Sequence, residues 1–193
     1  SPNIKPYVID TIQTDDRIIT AVIRATNCNV SITGVHAPQA HCTPTEKDHF
    51  WSQLQQLHEQ HGKHNDIHYV IGDTNARIIE RTEDETHIIG PHIYNPDDCN
   101  VSILSEEQVD NRERFMEFCI HNSFIPMNTW INKPQDKLAT FRSVGVDSFS
   151  PPYTCRRYAQ IDYVLAPQQW KNSITDINTA ADIAIESDHK LVH

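Results

Sequence analysis

The chain opens on three short runs in which apolar and β-branched residues alternate with polar ones: residues 7–12 (YVIDTI), 17–24 (RIITAVIR) and 29–34 (NVSITG). Each predicts a strand, and the connections at 13–16 and 25–28 are of hairpin length. In the second run Ile19, Ala21 and Ile23 share one face while Thr20, Val22 and Arg24 share the other, so burial on both sides is expected. The third run reaches Val35-His36-Ala37-Pro38, where Pro38 ends regular pairing. The period then changes. Phe50, Leu54, Leu57 and His61 recur at helical spacing, with Trp51 and His58 at the margin. Thr45 with Asp48 three residues on predicts the start of this helix, and Gly62 its end.

Residues 68–75, HYVIGDTN, return to the strand pattern, and Gly72 lets the backbone turn at its end. Residues 76–111 contain the charged ERTEDET and the turn-rich GPHIYNPDD, which predict a long irregular excursion. A helix follows over 112–122 with Phe115, Phe118, Cys119 and Asn122 at core spacing, then a short strand over 124–127 and a loop over 129–135. Thr140-Phe141 opens another strand. In the run from Tyr158 to Leu165, Ile161, Tyr163 and Leu165 share one face and Gln160, Asp162 and Val164 the other. A helical turn over 167–170 and a strand over 173–179 complete the pattern. With no repeat and no linker, this order predicts one α/β domain over residues 1–193, with mixed sheets covered by helices.

Composition narrows the function classes. No run approaches the ~20 apolar residues that a membrane span needs, and the start has no signal-peptide pattern. The chain is therefore expected inside the cell, in nucleus or cytoplasm. Five cysteines at 28, 42, 99, 119 and 155, with no C-x-x-C pair, point to free thiols in a reducing compartment. The net charge of -10 argues against a non-specific grip on nucleic acid. Its distribution is uneven: residues 1–109 carry a net -9, residues 110–171 a net +2 and residues 172–193 a net -3. A phosphate-bearing substrate would have to meet the middle block, which contains Arg156 and Arg157.

Candidate chemistry gathers where strands end. Asp73 and Asn75 stand two residues apart, so in an extended chain an anion and an amide face one cleft. The carboxylate can hold a hard cation or orient a water, and the amide can donate to a phosphoryl oxygen. An ordinary Asx turn is the alternative. His36 ends its strand in the same kind of place, or is a loop histidine without a task. Asp162 interrupts an apolar run and must find a partner if buried. His58, His61, His64 and His68 have no recognised ligand pattern and read as solvated histidines.

GDTN at 72–75, AQIDYVLAP at 159–167 and SDHKLV at 187–192 resemble, in order and spacing, the motifs of the endonuclease/exonuclease/phosphatase superfamily of metal-dependent phosphodiesterases. NRERFMEFC at 111–119, Thr140-Phe141 and residues 170–189 narrow the likeness to the endonuclease domain of non-LTR retrotransposons and to craniofacial-development-protein-2-like proteins. The resemblance implies a four-layer sandwich, two mixed β-sheets flanked by helices, and Mg²⁺-dependent hydrolysis of DNA, with Mn²⁺ able to substitute. It implies that Asp73 positions the attacking water and Asn75 contacts the scissile phosphate. His189, oriented by Asp162, touches a non-bridging oxygen or assists proton transfer, and Asp188 lies beside the metal with Asp73.

Two departures from the family pattern shape the expectations. His36 stands where the family usually has Tyr. Further, no segment matches the family's upstream strands, which end in Asn and in the metal-binding Glu. The chain is thus expected to be the C-terminal two-thirds of such a domain, incomplete at its N-terminus, with an uncovered sheet edge that promotes self-association. A full-length parent would add a reverse transcriptase region. The alternatives are a phosphomonoesterase acting on a small or lipid phosphate, and a catalytically inactive remnant or protein-interaction module.

Overall fold

The computed structural model describes residues 4–61, 67–180 and 187–193. Gly62, His64, the side chain of His61 and positions 181–186 of the last motif lie outside the described residues. The elements in order are β1 (Val8–Gln13), β2 (Ile18–Arg24), β3 (Asn29–His36), α1 (Pro44–His61), β4 (Ile67–Asp73), α2 (Glu106–Asn122), β5 (Phe124–Pro126), α3 (Gln135–Leu138), β6 (Phe141–Arg142), β7 (Tyr158–Ala159), β8 (Asp162–Pro167), β9 (Thr179–Ala180) and β10 (Leu191–Val192). The main sheet has six strands in the order β1-β2-β3-β4-β8-β5, and only the β3–β4 pair is parallel. The α/β class and the mixed sheet are as expected. Among the described residues the other strands form two separate two-stranded ladders, β6–β7 and β9–β10, rather than one second sheet.

Strand register explains which face is the core. Ile18, Val35, Gly72 and Tyr163 lie in one row across β2, β3, β4 and β8, and Thr20, Thr33, Val70 and Leu165 in the next. This face packs with Phe50, Leu54 and Leu57 of α1 and Phe115, Met116 and Phe118 of α2 in one buried cluster. On the opposite face Ile19, Gly34, Ile71 and Val164 form a row. It is more open, with Ile19 49% and Ile71 38% exposed. Deep burial on both sides of the second strand is therefore not observed: the helices cover only the Ile18-Thr20-Val22 face.

Several boundaries differ from expectation for local reasons. α1 begins at Pro44, which lacks an N–H and fits the first helical turn. Thr43, not Thr45, is its cap: the Glu46 N–H donates to Thr43 Oγ1 at 3.3 Å and the Thr43 N–H donates to Glu46 Oε2 at 2.8 Å. α2 starts six residues earlier than its core spacing suggests, because Ser105 and Gln108 form a capping box ahead of two favourable acidic residues. The 158–165 run is split, with Gln160 and Ile161 outside β7 and β8, and of the expected 173–179 strand only Thr179 lies in β9, with Asn178 exchanging two backbone hydrogen bonds with His193 just before it. The 76–111 excursion is irregular yet not simply solvated, since Ile78, Ile79, Ile88, Ile89 and Tyr94 are buried.

Two expectations about polar side chains are overturned. Cys99 and Cys155 are joined as a disulfide, Cα–Cα 5.4 Å, because the excursion folds back over 56 residues of sequence separation; Cys28, Cys42 and Cys119 are free. The cysteines therefore give no argument for a reducing compartment. His68 is buried and bonds Thr33 Oγ1 through Nε2 at 2.7 Å and His58 Nδ1 at 3.0 Å, so this pair is packed structure rather than solvated surface. No described helix is long and apolar enough to cross a membrane.

Gly72 has φ +137°, and a Cβ there would sit 2.1 Å from the Val35 carbonyl oxygen. Gly145 has φ +83° with nothing within 4 Å of such an atom. Gly145→Ala should therefore cost about 1 kcal/mol of backbone strain, and Gly72→Ala ~2 kcal/mol or more because the strands must part as well. Urea unfolding of both variants measures the difference.

Candidate active site

The open-face row Gly34–Ile71–Val164 continues at the strand ends into His36, Asp73 and Asp162, register partners on β3, β4 and β8. Alternation of side chains along each strand thus delivers two carboxylates and an imidazole to one place. His189, on the segment before β10, completes the group. Its Nδ1 lies 2.9 Å from Asp162 Oδ2 and 3.1 Å from Oδ1, and its Nε2 lies 3.8 Å from Asp73 Oδ2. His36 Nε2 is also 3.8 Å from Asp73 Oδ2. Asp188 Oδ1 stands 4.0 Å from His189 Nε2. The Phe141 ring, 5.0 Å from the imidazole centroid to centroid, supports His189 from the side. An adjoining cleft of about 790 Å³ has Ile19, Ile71 and Val164 in its wall and borders the site through His36 and Asp162.

Asn75 reaches the group by a different route from the one that strand alternation suggests. It lies beyond β4 with φ +49°, and its N–H donates to Asp73 Oδ1 at 2.8 Å. Its amide donates to Ala37 O at 2.8 Å and to Asp73 Oδ2 at 3.3 Å. The Asx turn and the chemical candidate are thus one structure, and a phosphate contact from this amide requires exchanging one of those bonds. Thr74 locks the turn onto the β8 side, since its N–H and hydroxyl both donate to Ile161 O at 2.9 Å.

Asn111 and Asn128 were missing from the sequence-derived set. Asn111, buried on α2, donates to Pro38 O at 3.0 Å and Asn75 O at 3.1 Å, fixing both loops that frame Asp73. Asn128 accepts from the Val164 N–H at 2.8 Å and donates to Asp162 O at 3.3 Å. A signal existed for Asn111: it stands one helical turn before Phe115, on the core face, where a polar residue needs a partner. The two arginines are not drawn in. Arg157 donates to the Pro152 carbonyl at 3.2 Å and lies over Tyr158, while Arg156 is exposed. Among the described residues neither guanidinium bonds a member of the site, because the loop that carries them is folded on itself.

Electrostatics distinguish the groups. Burial, then the neighbouring Asp162 charge, pushes the Asp73 carboxyl up to about 6. Burial works against a charged His189, but the hydrogen bond and charge of Asp162, with Asp73 and Asp188, outweigh it and raise its pKa. Burial, Arg17 and His189 lower that of His36. Oxygen donors from Asp73 and Asp188 face the same imidazole edge, a donor type suited to a hard cation. Three donors do not converge there, however. Among the described residues only Asp98, Cys99 and Cys155 bring three potential ligand atoms within 4.8 Å of one another, and there the sulfurs are joined.

The raised Asp73 pKa has a sign that can be tested without metal. Below about 4 both folded and unfolded chains carry this proton, and above about 6 neither does. Across that window the folded state binds more protons, so stability should fall as pH rises, by on the order of 2 kcal/mol. The raised His189 pKa supplies stability that is present below its ordinary value of 6.5 and lost as pH rises through the folded value. Asp73→Asn should remove the lower of the two slopes, read as thermal unfolding in chelator from pH 4 to 8.

No family model matches the chain. It is 28% identical over 180 residues to craniofacial development protein 2 of Bos taurus, an alignment that covers 92% of this chain and 26% of that protein. Its fold resembles a 3′ phosphatase, NExo, from Neisseria bound to a product DNA hairpin, with TM-score 0.61 and 14% identity. It likewise resembles the endonuclease domain of TRAS1, a telomere-specific non-LTR retrotransposon, with TM-score 0.56 and 14% identity. These alignments cover 93% and 94% of this chain and 64% of each neighbour. The chain therefore spans about a quarter of the curated relative and under two thirds of the solved neighbours. The chain thus has the fold of these neighbours, which it also shares with an endonuclease/exonuclease/phosphatase family protein from Leptotrichia buccalis at TM-score 0.56 and 14% identity.

Proposed function

We propose that these residues serve phosphodiester hydrolysis of DNA, of the retrotransposon-endonuclease type. The observation that carries this reading is a single imidazole held between two carboxylates from adjacent strands. Asp73, with a pKa of about 6, can accept a proton from an attacking water near neutral pH. His189 keeps Nδ1 on Asp162 and directs Nε2 at the space before Asp73. A gap of 3.8 Å is too long for a direct hydrogen bond, and an oxygen lying to the side of the pair could contact both groups. The raised His189 pKa favours an N–H there, which would donate to a non-bridging oxygen as charge develops. His36, biased neutral, flanks Asp73 as a further donor.

Asp73 and Asp188 would hold a Mg²⁺ or Mn²⁺ ion, which when bound neutralises phosphate charge. Two carboxylates are few ligands for a hard ion, so the 193 residues alone should bind it weakly. A second reading, hydrolysis of a small or lipid phosphomonoester, is favoured by the net charge of -10, which opposes long DNA contacts.

Supercoiled-plasmid nicking in a Mg²⁺ series tests these statements. The bare chain should nick no faster than Asp73→Ala, whereas fusing the preceding segment of a complete relative should raise nicking and reduce aggregation together. In that extended form His189→Ala and Asp162→Asn should each slow nicking, with the double variant losing far less than the product of the two. Independent losses would separate Asp162 from His189 in function. Salt-insensitive DNA binding, with phosphate release from a monoester, would favour the second reading. An extended form indifferent to Asp73→Ala would leave the inactive-module alternative.

A further inference from the structure

Asp162 and the neighbour of His189, Lys190, are both tied to one residue that the proposed chemistry does not use. Thr140 is fully buried just ahead of β6. Its Oγ1 accepts from the Ile161 N–H at 3.1 Å and from the Asp162 N–H at 3.2 Å, at the gap between β7 and β8. Its N–H donates to Ala159 O at 2.9 Å, so the other side of that gap is held as well. Its carbonyl accepts from the Lys190 N–H at 2.7 Å, and Phe141 forms a β-bridge with His189. The Arg142 N–H donates to Asp188 O at 2.9 Å, and its guanidinium to Ser187 O at 3.2 Å. The strand that begins after Thr140 therefore braces the His189 segment, while the Thr140 hydroxyl oxygen braces the backbone from which Asp162 projects.

We propose that Thr140 is the positioning residue of the Asp162–His189 pair, its hydroxyl oxygen setting where the Asp162 carboxylate meets His189 Nδ1. The proposal rests on the reading of that pair as catalytic. Valine has the shape of threonine but cannot accept, so Thr140→Val strands two N–H groups at a buried site and frees the start of β8 to shift. The carbonyl tie to Lys190 is main chain and survives the substitution. The loss therefore falls on the Asp162 half of the pair. Thr140 does not face the substrate space, so the effect belongs in turnover rather than in DNA affinity.

The test compares Thr140→Val with Thr140→Ser, which keeps the acceptor and gives up the methyl group. Two readouts are used in the extended protein: plasmid nicking in Mg²⁺, and the downfield proton resonance of His189 Nδ1–H bonded to a carboxylate. Thr140→Ser should keep the resonance and most of the activity. Thr140→Val should shift or broaden the resonance and slow turnover roughly ten- to hundredfold, as losses of groups that orient a catalytic ligand do, with KM unchanged. A resonance and turnover untouched by Thr140→Val would overturn the proposal. So would equal damage from Thr140→Ser, which would assign the effect to methyl packing. Should the valine variant not fold by circular dichroism, Thr140→Cys, with its weaker sulfur acceptor, must show an intermediate loss, and parent-like behaviour there overturns the proposal. If the parent itself does not nick DNA, the resonance alone still decides the role of Thr140, and the failure belongs to the hydrolytic reading.

Discussion

The seam between β3 and β4 admits no side chain at position 72. The Val35 carbonyl occupies the space where a Cβ would stand, and that close approach fixes the only parallel pair of the main sheet. One residue further along, the same register sets His36 beside Asp73, and the antiparallel β4–β8 pairing sets Asp162 on the other side. Glycine is required there by two separate conditions, a positive φ and an absent Cβ, and the cost is the conformational freedom lost on folding. Everything chemically distinctive about the molecule is then a consequence of where three adjacent strands stop.

The resulting group is electrostatically self-opposed. Burial and the Asp162 charge raise the Asp73 pKa to about 6, while the carboxylates around His189 raise that of the imidazole against its own burial. Both groups hold a proton more tightly than they would in water, and for Asp73 that brings a carboxyl close to neutrality, where it can act as a base. The tension is local, and the helix-covered face beneath it carries the folding energy.

Much of this was legible in the chain because short-range rules dominate at strands. The first three strands, the GDTN strand end and the orientation of Ile161, Tyr163 and Leu165 follow from alternation alone. His189 was reached only through resemblance, since nothing in its neighbourhood has a period. Errors cluster where a second interaction competes with the pattern. Pro44 moved a cap from Thr45 to Thr43, Ser105 lengthened α2, and Asn75 left the strand to bond Asp73. Tertiary closure was the least visible. The approach of Cys99 to Cys155 and the burial of Ile78, Ile88 and Tyr94 depend on how an irregular excursion returns. The two arginines show the same gap: their charge suggested a role, and only the path of the loop decides which groups meet.

The line of bonds from Thr20 to Thr33 to His68 to His58 runs through the covered face of the sheet and into α1. Apolar side chains there would pack as well in either of two alignments, because the opposite face offers Ile19 and Ile71 as ready substitutes. A slip of one strand by a single residue exchanges the faces. Here such a slip would strand hydroxyl and imidazole groups against the helices and leave them without one another. The polar line therefore works as an indexing pin, penalising every alignment but one. It is the misaligned sheet, with its carboxylates turned inward against α1 and α2, that these four side chains exclude.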